Sequence, residues 1–392
     1  MKRALVMVGI AVLAVALVGG GIWLRMRSSE VPFEEQPSLG GSLPPPPPPQ
    51  EDPRQTDPSV GGLIAKTGSL ATEIGKSVAG YGFEPDGALV AIQTDGTVVR
   101  VLKQEIVSIG KTPFSPLVSA SFSFDSRRAI LRGEDATSVG IFDVASSSWR
   151  ALGDLARSSW SPSDLRVVYV APKGSGWSLF TLDTKSKTAK PQSLSSFSHE
   201  GLFPSWIFPD KIFLSEKPSA LVDTSVFSFD LAKKILSRIV QGRGALALWD
   251  RDASRGIVFV GNARGGGSLA LVDSSGNIEK QFSFVTLPSK CAFETKTLGP
   301  QAGVKAKKKS WLVCAVPRDR RAFESSILPD AYFQKELRTE DGFYRIDIET
   351  GTITTLFDEE ASSLDAADVK TKNGRVYFLN QYDNFLYSIS LE

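Results

Sequence analysis

The chain holds one histidine, His199, and two cysteines, Cys291 and Cys314. A Ser-His-Asp triad needs a histidine base, a nucleophile elbow and a hydrolase scaffold. His199 lies in a serine-rich link between two strand clusters and reads as an exposed loop residue. One histidine also rules out multi-histidine metal centres. Carboxylates are plentiful, 43 Asp plus Glu, so a two-carboxylate glycosidase passes the count, yet no spacing singles out a pair. Arg264-Gly265-Gly266-Gly267-Ser268 is glycine-rich without a following helix pattern, which marks a hairpin tip rather than a phosphate cradle. These residues imply no catalytic centre, cofactor or metal.

Asp143, Asp183, Asp230, Asp273 and Asp347 recur at one phase, each after an apolar strand and before a turn. A ring of carboxylates suggests metal. Aspartate at a strand end, however, bonds its own backbone two residues on and starts the turn, and a turn device requires that fixed phase.

The phase belongs to a repeat. From about Tyr81 onward the chain plays one motif seven times: an aromatic, a turn, an apolar strand, a second strand often ending in Asp, a turn and a last strand. The copies run over 80–110, 121–152, 158–194, 203–240, 245–284, 291–357 and 364–392. Four short strands per repeat of about 40 residues mean a β-propeller. The expectation is an all-β, seven-bladed propeller, with six or eight blades as alternatives because the sixth copy is long. The apolar strands, such as Val167-Val168-Tyr169-Val170, are nearly continuous, as suits strands covered on both faces. The last copy is short of a strand, so the segment 59–75, with Leu63-Ile64, is expected to close the ring. Cys291 and Cys314 fall on neighbouring antiparallel strands of the sixth copy, within disulfide range if opposite one another; the alternative is two buried thiols.

Phe83-Glu84-Pro85-Asp86-Gly87 and Ser159-Trp160-Ser161-Pro162-Ser163-Asp164 resemble the Trp-Ser-Pro-Asp-Gly signature of TolB-type, WD40-like propeller repeats. Trp249-Asp250-Arg251-Asp252 and Cys291-Ala292-Phe293-Glu294 keep the aromatic and lose the proline; the last copy, near Val369, loses both. The resemblance covers everything after the linker. It implies exported, often membrane-associated propellers that act mainly through protein–protein contacts.

Ahead of the repeats, residues 4–24 form an apolar run flanked by Lys2, Arg3, Arg25 and Arg27. At 1.5 Å per residue such a run spans roughly 30 Å, a bilayer's hydrocarbon core. Residues 1–27 are therefore expected to be a transmembrane anchor, a cleaved secretory signal being the rival. The linker 28–58 carries consecutive prolines at 44–49 and is a stiff polyproline II spacer. The formal net charge is only +2, which gives no field for nucleic acid. Lys305, Lys307, Lys308 and Lys309 read as a solvated hairpin tip.

One feature breaks the rhythm, an insert at about 317–342 in the sixth copy, carrying Arg320, Arg321, Tyr332 and Phe333. Aromatics beside arginines suit a protein interface; the alternative is a short helix packed on the rim with both aromatics buried. The expected function is a non-enzymatic, membrane-anchored propeller on the extracytoplasmic side of the cell membrane, binding a protein or an envelope polymer. The alternatives are a glycan-active enzyme using channel-mouth carboxylates and a periplasmic sensor with a ligand in the channel.

Overall fold

The computed structural model describes residues 68–102, 105–135, 138–152, 155, 157–186, 188–298 and 307–391. In them the chain makes seven antiparallel sheets of four strands, one per sequence copy. The innermost strands, which face the channel, are Val78–Phe83, Leu117–Phe122, Ser158–Trp160, Phe203–Phe208, Leu246–Trp249, Cys291–Leu298 and Ala366–Lys372. They define blades one to seven.

Why the second strands are continuously apolar is visible in blades three and six. Val167, Tyr169 and Ala171 pack into one cluster while Val168 and Val170 pack into another on the opposite face. Leu312 and Cys314 divide from Val313 and Ala315 in the same way. The side chains alternate, but both faces are covered by neighbouring blades, so no position is left for water.

In blades one, three and five the repeated aromatic ties the blade to the one before it. Trp160 donates its indole N–H to the Ser121 carbonyl at 2.7 Å, joining blade three to blade two. Trp249 of blade five stacks on Phe213 of blade four at 4.7 Å, and Phe83 of blade one meets Tyr377 of blade seven at 4.9 Å. Where innermost strands must come close, glycine allows it: a Cβ on Gly80 would collide with the Ala120 carbonyl.

The recurring aspartates are turn devices. Asp273 accepts from the backbone N–H of Ser275 at 2.8 Å and of Asn277 at 2.9 Å. The Asn277 side-chain amide and then these N–H groups hold its carboxyl below the ordinary carboxylate range. Asp143, Asp183, Asp230 and Asp347 accept equivalent bonds from the residues two or three positions on.

The ring closes between the two ends of the repeat region. Leu70–Ile74 pairs antiparallel with Leu386–Ser390, placing Leu70 opposite Ile389 and Thr72 opposite Tyr387. Without it, the last strand of blade seven would be an exposed edge. Leu63, Ile64, the expected anchor 1–27 and the linker 28–58 lie outside the described residues. Among the described residues no helix is long and apolar enough to cross a membrane.

Candidate functional site

In blade six Cys291 stands opposite Cys314, and the two are joined by a disulfide across a Cα–Cα distance of 4.1 Å. This register fixes where the insert emerges. It leaves the second strand at Pro317 and returns at Asp341, on the side where the innermost strand begins. We call that side the upper face, and the side where innermost strands end the lower face.

The insert folds into two short helices, α1 (Arg320–Ser325) and α2 (Asp330–Phe333). Asp319 caps α1 by accepting from the Ala322 N–H at 2.9 Å. The segment then crosses blade five. Gly266 donates its N–H to the Ser326 carbonyl at 2.8 Å. Gly265 and Gly266 have φ of +108° and +67°, and a Cβ on either would sit 2.6 Å from the backbone oxygens of Ser325 and Glu324. The glycine-rich tip is therefore the berth of the insert. Farther on, the Ala220 N–H of blade four donates to Asp330 at 2.6 Å.

Beneath α2 lies a buried ionic cluster. Lys290, fully enclosed, donates to Thr339 at 2.8 Å, to Asp341 at 2.6 Å and to Asp365 at 2.8 Å. The Tyr332 hydroxyl donates to Asp365 at 2.9 Å, and the Lys290 ammonium sits 4.7 Å from its ring centre. Burial alone would push the Lys290 ammonium down; the surrounding carboxylates outweigh it and hold the pKa above the usual lysine range. Lys290 and Asp341 belong to blade six, Asp365 leads into blade seven, and Tyr332 and Thr339 belong to the insert. The cluster thus joins all three at the one junction where the repeat aromatic is missing.

The insert residues singled out by sequence separate here. Tyr332 is buried and Phe333 is exposed, so the packed-helix expectation holds for one aromatic and not the other. Arg320 donates to the Ser283 carbonyl at 2.9 Å and pairs with Glu324 at 3.4 Å. Arg321 is exposed. Sequence reasoning passed over Lys290, Asp341 and Asp365; the signal was three charges each set just before or at the start of an apolar strand.

Around α2 the surface carries several exposed apolar side chains among polar ones. A groove of about 490 Å³ is lined by Leu221, Ile327, Ala331 and Leu337, with Asp330 and Glu336 among its polar walls. Leu221 is 75% exposed, its neighbour Val222 57%, Ile327 38% and Phe333 47%. His199 stands elsewhere, exposed, with Nε2 2.7 Å from Glu216. Among the described residues no group of His, Cys, Asp and Glu could hold a metal.

The lower face carries a different surface. The channel holds a cavity of about 580 Å³ against the innermost strands of blades seven, one and two, with Arg251 of blade five reaching into it. A second cavity of about 560 Å³ lies between the lower loops of blades five, six and seven. Here Asp250 replaces the serine found at Ser161; burial first, and then the neighbouring Asp252, push its carboxyl up to about 6. Asp252 lies 3.8 Å from Lys308, and Glu294 pairs with Arg345 at 2.8 Å and with Lys296 at 3.4 Å.

No family model matches this chain, and no curated protein does. Solved structures do. Oligogalacturonate lyase from Vibrio parahaemolyticus is similar over 83% of this chain and 99% of its own, with a TM-score of 0.54 at 10% identity. A chain in the mitotic checkpoint complex is similar over 91% of this chain and 100% of its own, with a TM-score of 0.51 at 11% identity. The putative TolB from Agrobacterium tumefaciens matches over 52% of this chain and 80% of its own, with a TM-score of 0.39 at 13% identity. At these identities the likeness concerns the fold alone, a seven-bladed β-propeller. Enzymes and non-enzymes both use it.

Proposed function

We propose that this chain is a non-enzymatic interaction propeller, held at the outer side of the cell membrane by residues 1–27 and displayed on the proline-stiffened linker. The insert on the upper face receives a protein partner. The observation that carries the reading is the exposed apolar surface of Leu221, Val222, Ile327 and Phe333 beside a groove of about 490 Å³. Exposed apolar clusters of this kind are characteristic of protein-binding sites. The bond from Ala220 to Asp330 and the ionic cluster under Tyr332 brace it, so little order has to be imposed on binding. The glycan-enzyme alternative would draw on Asp252 and Glu294 at the lower mouth. Both face cations there, which disfavours them as a free acid–base pair.

The test is site-specific photocrosslinking of the full chain in its own membranes, with the probe at Phe333 and, as a control, at the outer-strand residue Ile235. A defined adduct at Phe333, absent at Ile235 and lost with Leu221→Glu, is expected. Equal adducts at both positions, or an adduct indifferent to Leu221→Glu, would remove the upper face from the proposal.

A further inference from the structure

The lower channel mouth has cations that nothing in the protein uses. Lys370 is satisfied: it donates to the Tyr81 carbonyl at 3.0 Å and to Asp368 at 2.8 Å, and lies 4.0 Å from the Tyr81 ring centre. Lys308, Lys296 and Arg345 face Asp252 and Glu294. Arg251 and Lys372 remain, with no acidic partner and no hydrogen bond among the described residues. Both line the channel cavity and the neighbouring one, so the two spaces share the same pair of charges. Each cavity by itself, about 580 Å³ and about 560 Å³, falls within the range of small-molecule pockets, about 300–1,000 Å³.

The rest of the wall is specific as well. Phe124 lines the channel cavity and is 47% exposed, which is unusual for a phenyl ring in a turn of otherwise small and polar residues. Ser119 and Ser121 stand two apart on the innermost strand of blade two, so their side chains share a face, and both line the cavity. Neither hydroxyl has a partner among the described residues.

From these we infer that the lower mouth binds an anionic sugar, with Arg251 and Lys372 holding its carboxylate or phosphate, Ser119 and Ser121 its hydroxyls, and Phe124 its ring face. Each group answers one property of such a ligand. Two unpaired cations fix the anion through charge-assisted bonds. The serines match a polyol, and the exposed ring covers the apolar C–H face that a sugar presents. The site is on the face opposite the insert, so it stands independently of the protein-binding proposal.

The experiment is saturation-transfer NMR on the full chain in lipid nanodiscs. The probes are glucuronate, glucose 6-phosphate, glucose as the neutral control, and the peptide Glu-Gly-Glu. Transfer to glucuronate or to glucose 6-phosphate is expected, weakening as salt rises, with glucose silent; the stronger of the two names the anion. Arg251→Gln with Lys372→Gln should weaken it by about tenfold or more, since charge-assisted bonds are the strong ones, with the melting temperature unchanged. Phe124→Ala should remove the ring-proton transfer. Phe333→Glu should alter nothing. Equal transfer to glucose, indifference to the double substitution, or binding of the peptide with both sugars silent would overturn the assignment.

Discussion

The upper face at blades six and seven and the lower mouth are built from the same residue types to opposite effect. Above, Lys290 is surrounded by Thr339, Asp341, Asp365 and the ring of Tyr332, and every one of these is buried. Below, Arg251 and Lys372 line open cavities without a partner among the described residues. An enclosed charge must be matched by the protein itself, because the solvation it loses is large. A charge at a cavity wall can stay unmatched, because water or a ligand serves it. The first arrangement fixes geometry and the second leaves free energy available for binding.

The contrast can be broken first at Lys290. Lys290→Met leaves Asp341 and Asp365 enclosed without their ammonium, and should cost about 3–5 kcal/mol of unfolding free energy in a urea titration. A loss comparable to that of a surface substitution would mean that the cluster braces nothing. Replacing Cys291 and Cys314 together by serine opens the covalent link in the same blade, with an expected loss of about 2–4 kcal/mol and a lower melting temperature. Gly266→Ala strikes the berth of the insert: the positive φ and the Glu324 carbonyl both oppose a Cβ, and about 1–3 kcal/mol is expected. Hydrogen exchange should then quicken over 319–333 while the blades keep their protection.

The smallest effect belongs to the lower face. Asp250, raised to about 6, binds a proton more tightly in the folded chain than in the unfolded one, where about 4 is usual. Its contribution to stability is therefore complete below pH 4 and is lost as pH rises through 6. Asp252→Asn removes the neighbouring charge, so the Asp250 carboxyl signal should titrate closer to the ordinary range. The stability lost between pH 4 and 6 should shrink by about 1 kcal/mol, solvent screening included. An unmoved titration would assign the shift to burial alone.

The blades were legible because each copy repeats local signals. The turn aspartates and the continuous apolar strands act over a few residues, and the blade order follows the order of the copies. Cys291 and Cys314 could be set on adjacent strands, since consecutive strands of one repeat pair with each other. Lys290 could not be read in this way. Its partners lie 49, 51 and 75 residues away, and no local pattern links them. Gly265 and Gly266 looked like a hairpin tip and are one, but the reason for glycine is the backbone of the insert resting on them. Tyr332 and Phe333 are neighbours of similar chemistry, and only the direction of α2 decides that one is enclosed and the other bare. Arg251 sits where the repeat aromatic is followed by proline in blade three, so its departure from the motif was visible while its place across the channel was not.

The pairing of Leu70 with Ile389 sets an order of events during synthesis. The strand Leu70–Ile74 leaves the ribosome before all seven innermost strands, yet its partner is the third strand of blade seven. Until blade seven is made it waits without its ladder, and the growing stack ends in a bare edge at each step. Such distant closure is slow, so this molecule has most to gain from a chaperone at the moment Leu70–Ile74 and Leu386–Ser390 are both free.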